Sequence, residues 1–141
     1  MTQEYLQGLL RVANEEELFN VHNGIRFTEV TEGRVTAELE PQPFVTNRLG
    51  NLHGGALFAM GDVACGIVAL SVRGESLVTL NASIDYMDRA SLDGKVTAVA
   101  KVERLGGKVC FCSAEMFDCR GKRVAVMKAA MYYTGTKVDF A

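Results

Sequence analysis

The stretch NRLGNLHGGALFAMGD, residues 47–62, sets an amide side chain at Asn47, an imidazole at His53, a glycine pair at Gly54 and Gly55, and a lone carboxylate at Asp62. A glycine pair opening an apolar run suits a helix N-terminus. There the first backbone N–H groups lack intrahelical acceptors, and the peptide dipoles add roughly half a positive charge. Without β-carbons, these glycines let a ligand oxygen reach the main chain, as a developing oxyanion requires. Asp62 sits within AMGDVACGIVAL, where a carboxylate loses water and persists only if paired, hydrogen-bonded or protonated. An amide donor and a base are the equipment for attack on an acyl carbonyl.

Eight residues at about 1.5 Å each set Asp62 about 12 Å along the axis from Gly54, so one carbonyl cannot touch both on a single helix. Two copies with antiparallel helices would bring Asp62 of one chain to Gly54 of the other, twice about a two-fold axis. Asn47 and His53 would then complete a composite site. Plainer readings of the same residues stay open at this point: glycines that only turn the chain into the helix, and an acid that faces a polar seam.

The elements that must hold these residues follow from periodicity. TQEYLQGLLRVANEEELFN has apolar residues at helical spacing, with Tyr5, Leu6, Leu9, Leu10 and Val12 on one side, and predicts a short amphipathic surface helix. GIRFTEVTEG and RVTAELEP alternate around an EGR turn and predict a hairpin; Pro41 and Pro43 then mark a loop before Asn47. A helix over roughly Gly54 to Val72 follows. SLVTLNASIDYM, KVTAVAKVERLG, KVCFCSAEMFDC and RVAVMKAAMYYTG read as four strands, the last three joined by the glycine-bearing turns LGGK and DCRGK. The expected fold is α+β, an antiparallel sheet of about six strands wrapped around a long central helix, in a single domain over residues 1–141. A helix apolar on nearly every side needs covering on every side, and one sheet covers only part of it. A second copy is the expected cover, with Ala56, Ala59, Gly61 and Gly66 permitting close approach.

Composition narrows the function classes. A net charge of -2 leaves no basic stripe for nucleic acid. The N-terminus lacks the n-region, h-region and cleavage site of a signal peptide, so the expected location is the cytoplasm. The central apolar run is not expected to enter a membrane, because Asp62 near its centre would cost about 2.5–3.5 kcal/mol on insertion scales. Cys65, Cys110, Cys112 and Cys119 form no CxxC pair, and only His22 and His53 could join them. No metal, disulfide or cofactor is assigned, and Cys110 and Cys112 are expected to share one strand face as reduced thiols.

The run N-x-x-G-x-L-H-G-G-x(7)-D from Asn47 to Asp62, with VTLNASIDYM and the RGKRVA hairpin, resembles the hotdog-fold acyl-CoA thioesterases of the phenylacetate-pathway type. The similarity covers roughly Gly24 to Thr134. It implies that the Gly54 N–H polarises a thioester carbonyl, with Gly55 beside it. It implies too that Asp62 of the partner chain acts as nucleophile or general base, that Asn47 positions water or thioester, and that His53 orients the loop. Thr79 falls where the family places a small hydroxyl near the reacting centre. Asn81 and Tyr86 lie on the following strand as substrate-binding candidates, and Asp85 adds a further polar group there. Arg104 and Lys108 flank Gly106 and Gly107 where the family's hairpin contacts coenzyme A. Arg89, in YMDRAS, departs from a segment that usually carries proline before the alanine.

The expected activity is hydrolysis of small, medium-chain or aryl acyl-CoA to free acid and coenzyme A by a homodimer, further paired as a homotetramer. Two alternatives use the same residues: a hotdog enoyl-thioester dehydratase or hydratase employing His53 and Asp62, and a non-catalytic acyl-CoA-binding module. Asp62 argues against the latter, since a pure binder gains little from a carboxylate beside a thioester.

Overall fold

A computed structural model describes all residues, 1–141. The first helix, α1 (Gln3–Glu15), is capped by the Thr2 hydroxyl, which accepts the Tyr5 N–H at 3.1 Å. It buries Tyr5, Leu6, Leu9 and Ala13 against the sheet, whereas Val12 of the expected face is only partly covered. The single helix expected to run on towards Asn20 is divided. Glu15, Glu16 and Glu17 put negative charge at the negative end of the helix dipole, so α1 stops there and a short α2 (Leu18–His22) restarts. Asn20 of α2 is buried and donates to the Ala13 carbonyl at 3.0 Å, joining the two pieces.

The expected hairpin forms from β1 (Ile25–Thr31) and β2 (Arg34–Leu39). A 3-10 turn over Pro43–Val45 and an ordered loop lead into α3 (Gly54–Leu70). After it come β3 (Glu75–Tyr86), β4 (Val96–Leu105), β5 (Val109–Phe117) and β6 (Arg123–Lys137). All pairings are antiparallel and the spatial order is β1-β2-β4-β5-β6-β3, so the strand that follows the helix crosses to the far edge and pairs with the last one.

The sheet's inner face alternates small and flexible residues. Ala98, Ala100, Ala114, Ala125 and Ala129 let α3 lie close, and Met116, Met127 and Met131 fill the irregular gaps. Cys110 and Cys112 do share this face, as free thiols 3.6 Å apart. Gly61 differs from its expected role. It faces the chain's own sheet, where a Cβ would stand 3.0 Å from Cε and Sδ of Met127 and 3.2 Å from Cε of Met116, so its smallness serves helix-to-sheet packing. Ala56, Ala59 and Gly66 do lie on the half-open side.

At its C-terminus α3 is closed by hydroxyls. Tyr133 donates to the Ala69 carbonyl at 2.7 Å, Tyr5 to Leu70 at 2.8 Å and Ser71 to Val68 at 2.6 Å. Burial, with Asp139 second, pushes the Tyr5 hydroxyl up to about 12, which keeps it a donor. The opposite side of the helix and edge strand β3 remain open, with Val78 and Leu80 54% and 63% exposed. No helix is long and apolar enough to cross a membrane.

Replacing Gly61 by leucine should overpack Met116 and Met127 and cost about 1–3 kcal/mol. Urea unfolding should show a lower midpoint at an unchanged slope.

Candidate active site

The loop before α3 is built from its own polar groups. His53 N–H donates to the Val45 carbonyl at 2.7 Å and Asn47 N–H to Asn51 at 2.7 Å, closing the loop at two levels. The Asn47 Oδ1 accepts N–H bonds from Leu49 at 3.0 Å and Asn51 at 3.1 Å, while Gly50 between them takes φ +77°, a conformation suited to glycine. Asn47 therefore shapes the loop through its oxygen and keeps its amide nitrogen as the remaining donor.

His53 is the N-cap of α3, and its Nδ1 accepts the Gly55 N–H at 2.8 Å. The Ala56 N–H is taken by the His53 carbonyl at 3.0 Å. This leaves the Gly54 N–H as the first helix donor without an acceptor in the chain. Tyr86, at the end of β3, donates its hydroxyl to the Gly54 carbonyl at 2.8 Å. Its ring lies against Gly54 closely enough that a Cβ there would be 3.2 Å from Cζ. The hydroxyl proton of Tyr86 is thus spent on the helix tip and not held out to a ligand.

Two turns along, Asp62 is half-buried on the open side of α3, and its Oδ1 accepts the Thr79 hydroxyl at 2.7 Å. The strand that grips the helix tip thus also fixes the carboxylate. Cys65, one turn further on, is fully buried, and burial first and Asp62 second push its thiol up to about 12. It is a neutral thiol near pH 7 and a poor nucleophile. Beside Asp62 and Thr79 opens a cleft of about 560 Å³, lined by Val63, Ile67, Leu70, Leu77 and Phe140.

The remaining candidates lie elsewhere. A bulge that leaves Leu80 unpaired brings Asn81 level with Ala130, in register with the Ser83 and Lys128 pair on the sheet's outer face, away from α3. In a single chain Asn81 is therefore not beside Asp62; the extra residue at the bulge, which simple alternation does not reveal, is the reason. Arg104 and Lys108 are exposed at the β4–β5 turn, at the end of the chain where α3 finishes. Arg73, absent from the sequence reading, pins that turn: it donates to Gly107 at 2.8 Å and Gly106 at 2.9 Å and lies 4.4 Å from the centre of the Tyr133 ring. A second, polar cleft of about 540 Å³ carries Arg89, Arg120 and Lys122 beside Gly50 and Asn51, at the Gly54 end. Asp93 pairs with Arg120 at 2.8 Å and Asp88 with Lys122 at 3.5 Å, whereas Arg89 has no acidic partner.

A free amide at a helix tip and a hydroxyl-held carboxylate on the same open helix side can serve polarisation of a carbonyl and activation of water. The family model described as Thioesterase superfamily matches residues 49–125, which contain the glycine pair, Asp62, Thr79 and the β4–β5 turn. Human acyl-coenzyme A thioesterase 13 is 25% identical over 127 residues, covering 89% of this chain and 91% of the relative. Among solved structures, a hypothetical thioesterase from Streptococcus pneumoniae with coenzyme A superposes with a TM-score of 0.79 at 25% identity, over 87% of this chain and 98% of that one. The PaaI protein of the E. coli phenylacetic acid degradation operon superposes with a TM-score of 0.85 over 95% of this chain and 99% of that one; at 22% identity it bears on the fold, which is the hotdog arrangement expected from the sequence.

With Cys65, Cys110 and Cys112 buried and Cys119 exposed, iodoacetamide should alkylate one thiol per chain in the folded protein and four after unfolding, as counted by mass spectrometry.

Proposed function

This chain belongs to the thioesterase superfamily, and from that membership we propose that it hydrolyses small, medium-chain or aryl acyl-CoA thioesters to the free acid and coenzyme A, at a site shared by two chains. The observation that carries the reading is the Thr79 hydroxyl on Asp62, on the open side of a helix whose tip keeps the Gly54 N–H unspent. The Gly54 N–H of one chain receives the thioester carbonyl, and Asp62 of the other takes a proton from water as it attacks. The negative charge that develops on the carbonyl oxygen is met by the amide and the helix dipole. Collapse of the adduct breaks the carbon–sulfur bond, and the proton held by Asp62 passes to the departing thiolate. If Asp62 attacks as nucleophile instead, an anhydride forms as the carbon–sulfur bond breaks and the thiolate leaves to take a proton from solvent, and water then cleaves the anhydride to the free acid and the Asp62 carboxylate.

The pairing is supported by the half-open side of α3, by the unpaired edge of β3 with Val78 and Leu80 exposed, and by the spacing that keeps Gly54 and Asp62 apart within one chain. Exposed Phe111 and Tyr132 on the outer sheet face support a further pairing of dimers into a tetramer. One apolar core joins α1, α3 and every strand except the half-covered β3, which packs on its edge, and this supports a single domain over residues 1–141. The apolar cleft beside Asp62 suits the acyl group. The four free thiols suit the cytoplasm expected from the sequence. For the coenzyme A phosphates, Arg89 stands at the same end of the chain as Gly54, and Arg104 and Lys108 approach from the partner. The resulting reaction releases thiol from a saturated thioester, which neither hydration of an enoyl thioester nor simple binding does.

Asp62→Asn should lower kcat on a panel of acyl-CoAs by about a hundredfold or more while thermal unfolding is unchanged, read by thiol release. In a single turnover in oxygen-18 water, label in the peptide bearing Asp62 marks it as the nucleophile.

Arg89→Ala and Lys108→Ala should each raise KM for acyl-CoA by roughly fivefold, the scale of exposed charge pairs. Hydrolysis of the matching N-acetylcysteamine thioester, which has no phosphates, should stay the same.

A further inference from the structure

The start of α3 poses a mechanical problem. Gly54 and Gly55 are adjacent, and glycine is the residue least able to hold its own backbone in one conformation. A donor meant for a developing oxyanion has to be aimed in advance, because its value lies in needing no reorganisation during the reaction. Something outside the helix must therefore fix the tip. The peptide between Gly54 and Gly55 is held at both ends. Its N–H goes to Nδ1 of His53 at 2.8 Å and its carbonyl accepts the Tyr86 hydroxyl at 2.8 Å. The Tyr86 ring closes on the Cα side of Gly54, within 3.2 Å of where a Cβ would be. Tyr86 is 53% exposed, so its tyrosine ring contributes little to the core. Its hydroxyl reaches back to a carbonyl thirty-two residues earlier in the chain.

We propose that Tyr86 is a positioning residue: by gripping the Gly54 carbonyl from the end of β3, it fixes the direction of the Gly54 N–H that polarises the thioester carbonyl. The proposal rests on the hydrolytic reading above. His53 restrains the same peptide from the loop side, as the N-cap two residues away. Tyr86 ties the tip to the sheet and to the strand that also holds Asp62 through Thr79.

Tyr86→Phe keeps the ring against Gly54 and removes only the hydroxyl. The expected result is a ten- to fiftyfold fall in kcat with KM within twofold of the native value and an unchanged unfolding midpoint. A second measurement does not depend on turnover. Benzoyl-CoA bound to Asp62→Asn protein should show its thioester carbonyl stretch moved to lower frequency in difference infrared spectra, and most of that displacement should vanish in the Asp62→Asn, Tyr86→Phe double variant. A kcat within twofold of native, or an equal carbonyl frequency in the two variants, overturns the proposal and leaves hydrolysis standing. Native protein that releases no thiol from any acyl-CoA overturns the hydrolytic reading and this proposal together.

Discussion

The grip of a six-stranded sheet on one apolar helix is the constraint from which the other features follow. α3 carries almost no polar side chain along its covered side, so it can be held only by close packing, and the sheet achieves this with alanines where the helix presses and methionines where it does not. Gly61 shows how tight the fit is, since even a methyl group there would touch two methionines. A helix held this firmly gives its ends fixed positions. That lets a backbone amide and a side-chain carboxylate become reliable chemical groups.

The two ends are treated in opposite ways. At the C-terminus three hydroxyls, from Tyr133, Tyr5 and Ser71, donate to the carbonyls of Ala69, Leu70 and Val68, the first and last of which also accept backbone N–H groups. At the N-terminus the surrounding residues satisfy the second and third N–H groups and secure the first carbonyl, but leave the first N–H alone. Saturation at one end and a single unspent donor at the other make the dipole usable at the open end only. β3 links this tip to Asp62, because Tyr86 and Thr79 sit on the same strand.

Much of this was legible in the sequence, for reasons that differ by element. β1, β2 and β4 to β6 follow from alternation and glycine-bearing turns, and α3 from an apolar run opened by His-Gly-Gly and expected to end near Val72; each falls within about two residues of its expected limits. The joining of β3 to β6 was not legible, because no turn chemistry connects them and the contact spans the whole second half of the chain. The break between α1 and α2 lay in the three glutamates, whose charge opposes helix continuation at that end but leaves the apolar spacing intact. Among the candidate site residues, Gly54, His53 and Asp62 stood out by type and spacing. Thr79 stood out only through the family resemblance. The link from Tyr86 to Gly54 and that from Arg73 to the β4–β5 turn are side-chain bonds to distant carbonyls, for which sequence has no local signature. Asn81 takes the face of β3 opposite Thr79 because of one inserted residue, Leu80, which reverses the sides of the positions after it and which simple alternation does not reveal.

That inserted residue has a consequence for the newly made chain. As the edge of the sheet, β3 offers a row of free backbone groups flanked by Val78 and Leu80, the kind of border along which unrelated polypeptides zip together. The offset at Leu80 interrupts that row, so a straight intruding segment can match it on one side of the kink only. The irregularity acts as a mild quarantine during biosynthesis, discouraging promiscuous stacking along this border without shortening the strand.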